Sequence, residues 1–188
     1  RTDTRTDRSN NYKNIYEDFS YYFINFDKGP GKRVASQDVN LPPTLITRYD
    51  DYQVINEDEV NLLKLGRVWL DDAPFTSPKT ISFTTKSPIQ TGDLIRYRTQ
   101  VVASKGQGNS IKFDINSQNN ITQIAPTGNA QIYTALKYYG TIINLQGSTI
   151  SINYTPNISV NPNGLFYLDY VEVQYKEALS FNGSQMNF

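Results

Sequence analysis

Short stretches in which apolar and polar residues take alternate places recur through most of this chain. Residues 94–103 follow the pattern, and so do residues 110–116, 149–155 and 165–179. A period of two places one row of side chains in a core and the other in water, as in antiparallel sheets. Turn residues separate these stretches, and strands do not alternate with long helices. The pattern predicts an all-β domain, a two-sheet antiparallel β-sandwich of jelly-roll type, with about nine to eleven strands.

Two further segments are predicted to be extended. Residues 19–26 are aromatic and β-branched, which favours a strand. Residues 132–146 are long enough for a helix, but their β-branched and aromatic side chains favour two strands with Gly140 between them. Residues 1–18 are polar and repetitive, so we expect an exposed arm or linker there and the sandwich over residues 19–188.

Residues 56–66 carry the signals of one short helix. Asn56 can cap the first turn, and the three acidic residues that follow it suit a helix N-terminus. Gly66 can end the helix after two to three turns. We therefore expect this helix to lie across one end of the sandwich.

The chain contains neither cysteine nor histidine. Without these residues no Ser-His-Asp triad, Cys-His pair or thiolate zinc site can be assembled within it. We therefore predict no catalytic residue and no cofactor, and expect that this chain is not an enzyme by itself. Two close carboxylates could serve glycoside hydrolysis, but the acidic residues form no motif that points to it.

Charge and hydropathy limit the partners. Lys and Arg number 18, and so do Asp and Glu, so no basic surface for nucleic acid is expected. No apolar run approaches the roughly 18 residues of a membrane helix, so no direct membrane span is expected. No signal peptide opens the chain, so a secreted form would have its signal upstream or already removed. The 14 tyrosines and many Asn, Thr and Ser residues are typical of extracellular β-proteins.

Acidic residues beside the predicted helix and in the last strand are the calcium candidates. Asp71 and Asp72 follow the helix, and Asp169 lies in residues 165–179. Calcium takes six to eight oxygen ligands, which these residues do not supply alone. The simpler interpretation is that Asp71 and Asp72 form turns and that Asp169 pairs with a nearby cation, so no metal site is predicted.

Aromatic side chains offer a second kind of site. Trp69, Tyr138 and Tyr139 are candidates for stacking against a sugar ring, because adjacent strand residues point to opposite faces and one tyrosine must leave the core. The alternative is that Trp69 and most tyrosines fill the core or its rim.

Three segments carry a resemblance to a known family. They are residues 49–72, which join an acidic patch to LLKLGRVWLDD, the VVAS stretch at residues 101–104, and residues 163–188, which contain LFYLDYVEVQYKEAL. In this order they resemble the region before the catalytic domain in the PorU family. These are cell-surface sortases of the type IX secretion system of Bacteroidetes, related to gingipain cysteine peptidases.

The resemblance implies a function for a longer protein. That protein would be associated with the outer membrane, remove the C-terminal sorting domain of secreted cargo and link the cargo to a surface lipopolysaccharide. Its catalytic Cys and His would lie downstream of Phe188. The chain would be a non-catalytic accessory domain whose partners are the downstream peptidase domain and outer-membrane secretion proteins. A free-standing carbohydrate-binding module, or a purely structural adhesin-like module, is the alternative.

Overall fold

The computed structural model describes residues 21–26, 28–32, 45–62, 64, 69–71, 73–104, 108–124, 133–159 and 161–180. The strands of this part are β1 (Arg48–Ile55), β2 (Lys79–Ile89), β3 (Leu94–Ser104), β4 (Ser110–Ile115), β5 (Gln118–Ile124), β6 (Tyr133–Ile143), β7 (Gly147–Asn157) and β8 (Leu165–Ala178). In the described ranges no helix is long and apolar enough to cross a membrane.

These strands form two antiparallel sheets. One has the order β1-β8-β3-β6, and the other has the order β2-β7-β4-β5. Consecutive strands thus change sheet at most connections, which is the strand order of a jelly roll built from two Greek keys. The predicted all-β sandwich is confirmed, with eight described strands instead of the expected nine to eleven.

The alternating rows meet between the two sheets. The buried inner positions of three strands are Ile81 and Phe83 in β2, Ile150, Ile152 and Tyr154 in β7, and Val171, Val173 and Tyr175 in β8. Each such apolar side chain contributes roughly 1.5–3 kcal/mol when it leaves water. The core is therefore assembled from the same periodicity that defines the strands.

Aromatic rings fill the middle of this core. The ring of Phe113 stacks on Tyr138 with centroids 5.9 Å apart, and meets Tyr154 edge-on at 5.6 Å. The hydroxyl of Tyr154 shares a hydrogen bond of 2.9 Å with Thr99, which lies in the opposite sheet. Burial raises the pKa of Tyr154, so its phenol stays neutral and suits this contact.

The predicted short helix over residues 56–66 is wrong where the structure describes it. Val60 and Leu70 exchange backbone hydrogen bonds of 2.8 and 2.7 Å in an isolated antiparallel bridge. Asp58 and Lys64 have φ angles of 59° and 51°, which lie outside the right-handed helical region. The backbone N–H and C=O of Val60, which would take part in helical hydrogen bonds, thus pair with Leu70 instead.

The strand predicted over residues 19–26 is also wrong where the structure describes it. The described part, residues 21–26, forms no strand, and its large side chains are exposed. Strand propensity acts only where a hydrogen-bonding neighbour and a face to pack against are provided. The proposed arm at residues 1–18 lies outside the described residues.

Gly140 explains why residues 132–146 contain one strand and not the predicted two. It lies inside the 11-residue strand β6, opposite Tyr97 of β3. A Cβ atom at Gly140 would be 2.7 Å from the hydroxyl oxygen of Tyr97 and 2.9 Å from that of Tyr138. The glycine therefore admits two tyrosine rings to the core and does not mark a turn.

We predict that Gly140→Ala lowers the free energy of unfolding by about 1–3 kcal/mol, because the new methyl group overlaps buried rings that have little room to move. Chemical denaturation followed by tyrosine fluorescence measures this change. Gly31→Ala is the matched control, since a Cβ there meets no atom within 4 Å. Equal stability of the two variants would contradict the assignment.

Candidate functional site

The three segments that carry the family resemblance meet on one sheet. Residues 49–72 begin in β1, residues 101–104 end β3, and residues 163–188 include β8. Because β8 lies between β1 and β3, these distant stretches become neighbours.

Part of the outer side of this sheet is covered by the chain itself. A small cluster forms where Val102 of β3 and Tyr167 of β8 pack with Leu70. Val60, Leu62 and Leu165 pack around the cluster at partly buried positions. We call this region the covered face. It joins all three segments by apolar contact and not by proximity alone.

Asp71 lies at the rim of the covered face and is buried. Its carboxylate accepts a hydrogen bond from the backbone N–H of Glu57, and its own N–H donates to the carbonyl of Leu168 at 2.8 Å. We call the segment that carries Val60, Leu62 and Leu70 the covering segment. Asp71 ties this segment to β8, because it bonds to Glu57 through its side chain and to Leu168 through its backbone. Asp72 lies outside the described residues.

Asp169 marks a β-bulge in β8. Gln100 is opposite Tyr170, whereas the next residue, Val101, is opposite Leu168. The side-chain amide of Gln100 donates a hydrogen bond to Asp169, the additional residue. No group of three or more acidic side chains gathers for a metal anywhere in the part of the chain that the structure describes.

A salt bridge lies on the same outer side, at Glu172, three residues beyond Asp169 in β8. The Arg98 guanidinium donates to one oxygen of Glu172 at 2.8 Å from Nη2 and 3.2 Å from Nε. Gln174 donates to the other oxygen at 2.9 Å, and the guanidinium lies 5.8 Å from the ring of Tyr170. Glu172 is only 1% exposed, so these bonds offset the cost of burying its charge. The arrangement holds β3 to β8.

The two aromatic candidates whose side chains the structure describes, Trp69 and Tyr138, do not meet at one surface. Tyr138 packs between the sheets against Phe113 and Tyr97, so neighbouring rings occupy its faces. Trp69 is partly buried in the covering segment, beside Leu70, and no described residue accepts from its indole N–H. Tyr139 is the register partner of Arg98 in β6, and its side chain lies outside the described part. A stacking role for these residues remains a prediction.

A second group of polar contacts joins the two sheets where β1 and β2 form their edges. The side-chain amide of Gln53 donates to the Thr84 carbonyl at 2.8 Å and to the Tyr175 hydroxyl at 2.7 Å. Lys86 lies 3.5 Å from Asp51, which raises the pKa of the lysine. We call this set of contacts the polar seam.

Glu177 strengthens the same seam from β8. Its carboxylate is buried and accepts hydrogen bonds from the Lys86 backbone N–H at 2.9 Å and from the Ser87 hydroxyl. Beside these contacts is an open cleft of about 430 Å³, lined by residues 51–55, Ser82 and Phe83. Sequence reasoning noted Asp50 and Asp51 only as acidic residues of a loop or a weak cation site. It did not identify this contact between the sheets, although polar residues at the inward positions of β1 were a visible signal.

Arg48 and Asp93 form a clamp at the end of β1. Two hydrogen bonds of 2.6 and 2.7 Å join the guanidinium to the carboxylate, and the Gln90 backbone N–H donates to Asp93 at 2.8 Å. The Arg48 hydrogen bond, aided by the Gln90 amide, lowers the pKa of Asp93 below its usual 3.8. Asp93 also raises the pKa of Arg48.

The order of the eight strands in the described ranges defines the class of the domain as a jelly roll. Among solved structures, it is similar to the dimeric latent PorU from Porphyromonas gingivalis, with a TM-score of 0.59 and 13% sequence identity over 77% of this chain. The chain spans 14% of that PorU chain. At this identity the similarity concerns the fold.

Two carbohydrate-binding modules are similar at a lower level. The CBM35 from Cellvibrio japonicus Abf62 has a TM-score of 0.39 and 15% identity, over 64% of this chain and 83% of the module. The Xyl-CBM35 in complex with a glucuronic acid-containing disaccharide has a TM-score of 0.40 and 15% identity, over 76% and 98%. No family model and no curated protein matches the sequence.

We predict that Asp93→Asn removes about 1–3 kcal/mol of stability at neutral pH, the contribution of hydrogen bonds to a charged group. Because folding lowers the pKa of Asp93, its contribution is present above the unfolded pKa and is lost as pH falls through the folded pKa. The variant should therefore lose less stability than wild type between about pH 6 and pH 2.

Urea denaturation at several pH values measures the effect. Asp50→Asn is the control, since the Asp50–Lys176 pair is nearly half exposed and such pairs contribute about 0.2–1 kcal/mol. Parallel pH curves for Asp93→Asn and wild type would count against the clamp.

Asp71→Ala should destabilise the domain by about 1–3 kcal/mol, because the Glu57 N–H loses its acceptor. Asp71→Asn keeps one acceptor oxygen and should cost less. If Asp71 is a structural acceptor, millimolar calcium should leave the thermal midpoint of wild type unchanged. A calcium-dependent rise that Asp71→Asn abolishes would establish a metal site instead.

Proposed function

We propose that this chain is a non-catalytic N-terminal accessory domain of a cell-surface type IX secretion sortase, which processes and anchors secreted cargo. Its role would be to position the downstream peptidase domain or to dock partner proteins of the outer membrane. The observation that carries the proposal is the covered face, where the three resembling segments come into contact.

The three motifs support the family resemblance more strongly together than separately, because they come into contact in the structure. Residues 49–72, 101–104 and 163–188 are far apart in the sequence, and an accidental resemblance gives no reason for them to meet. In the structure they supply two adjacent strand pairs and the segment that covers them. This is the distribution expected if the segments preserve one structural unit.

The comparison with solved structures agrees with a domain of a longer protein. The PorU chain from P. gingivalis is about seven times longer than the part that corresponds to this chain, which spans 14% of it. The activity, substrates and partners of such a longer protein are part of the proposal. The peptidase chemistry would come from elsewhere in the polypeptide, because this chain has no Cys or His.

The acidic groups also suit a scaffolding role. Glu172 and Glu177 are buried, and each accepts hydrogen bonds from another strand: Glu172 from Arg98 of β3, and Glu177 from residues of β2 in the opposite sheet. Groups held in this way fasten strands together. They are not placed to exchange protons with a substrate in solvent.

Deletion of residues 19–188 from the full-length gene tests the proposal in the source organism. We expect cargo that retains its C-terminal sorting domain to accumulate, as seen by immunoblot of cell-surface and culture fractions. The abundance of the shortened protein must be measured in parallel, so that loss of the protein is separated from loss of function. Normal cargo processing by the shortened protein would contradict the proposal.

The isolated chain provides a second test. On a glycan array we expect no binding, because Tyr138, one of the aromatic candidates, packs in the core. Binding of a defined glycan with a micromolar to millimolar dissociation constant, lost in Trp69→Ala, would favour the carbohydrate-binding module instead.

A further inference from the structure

We propose that β1 is a detachable strand beyond its first residue. Residues 49–55 leave β8 while the rest of the sandwich stays folded, and the Arg48–Asp93 clamp holds Arg48 in place. Their release would turn β8 into the edge of the sheet. The inference concerns the conformational behaviour of the domain and does not depend on the proposed function.

Burial along β1 is the first observation. All eight of its residues are partly buried or exposed, whereas β8 alternates buried residues along most of its length. Ile55, at the end of β1, is the side chain of this strand that packs against the central core. Elements with few buried apolar contacts open at lower free energy than the core of a protein.

The polar seam is the second observation. The inward positions Gln53 and Asp51 reach the other sheet through one hydrogen bond, to Thr84, and one ion pair, to Lys86, in place of apolar packing. Gln53 also bonds to Tyr175 of β8, in the same sheet. Water replaces such contacts when the strand leaves, so each contributes only about 0.5–1.5 kcal/mol. The Lys86 side chain is 66% exposed, which weakens its ion pair further.

The register shows which groups of β8 would be exposed. The Leu179 N–H donates to the Thr47 carbonyl, so every second residue from Leu179 back along β8 points its N–H toward β1. Val173 and Tyr175 belong to this set. Glu172 and Gln174 point the other way, toward Arg98 and Arg96 of β3.

Release of β1 would therefore leave an unusual edge. The inner side chains Val171, Val173 and Tyr175 form an apolar row, and backbone donors and acceptors of the same residues face outward. The open cleft lined by residues 51–55, Ser82 and Phe83 lies beside this edge.

Residue-resolved hydrogen exchange by NMR on the whole chain tests the proposal. We expect the amides of Val173 and Tyr175 to exchange at least about tenfold faster than those of Glu172 and Gln174, because local opening exposes only the first pair. Global unfolding exposes all four amides together. Equal protection of all four would overturn the proposal.

A reversible covalent lock provides the matched control. Asp50 and Lys176 are directly opposite in a pair that is not hydrogen-bonded, where the Cα separation of roughly 4.5 Å suits a disulfide. The natural chain has no cysteine, so Asp50→Cys with Lys176→Cys can form one bond only.

We expect the oxidised double variant to slow the exchange of Val173 and Tyr175 to the level of Glu172 and Gln174. Reduction of the same sample should restore the difference. Fast exchange of Val173 and Tyr175 with the disulfide intact, as verified by mass spectrometry, would show that they open by a route other than release of β1. The wild-type measurement stands alone if the double variant does not fold.

Discussion

The pairing of β8 with both β1 and β3 is the interaction on which the rest of this domain depends. With 14 residues β8 is the longest strand described, and it is the last strand in the chain order, paired with the first. Its inner row contributes to the core, and its outer row carries both the covered face and the Arg98–Glu172 salt bridge. A one-residue shift in its register would move each of these groups to the opposite side.

The bulge at Asp169 allows β8 to serve two neighbours on one edge. β1 pairs with β8 as far as Val171, and the segment around Asp71 and Phe75 continues beside Leu168 and Phe166. The additional residue lies between these two regions, where pairing changes from one segment to the other. Bulges commonly adjust the direction of a strand at such points. The bulge thus positions the covering segment, and with it the surface on which the proposed function rests.

Alternation predicted the interior strands well because burial on one face imposes a period of two. Residues 94–103, 110–116, 149–155 and 165–179 all lie largely within strands of the structure. The failures have a common cause. The helical signals of residues 56–66 are local, and they yield to the backbone bonds between Val60 and Leu70, which no local pattern specifies. The local sequence predicts a break at Gly140, whereas the glycine makes room for the rings of Tyr138, two residues earlier in β6, and of Tyr97 in the adjacent strand β3.

The site residues likewise separate into features that follow from the sequence alone and features that depend on tertiary contacts. The sequence alone determined that the chain is an all-β sandwich and that Cys and His chemistry is absent from it, because periodicity and composition do not depend on contacts. Only the tertiary structure decided that Asp71 supports a backbone N–H, that Tyr138 packs in the core, and that three distant segments share one face. These facts depend on strand order and register, which arise from contacts between residues far apart in the chain. The polar seam belongs to the same category, since its partners come from β1, β2 and β8.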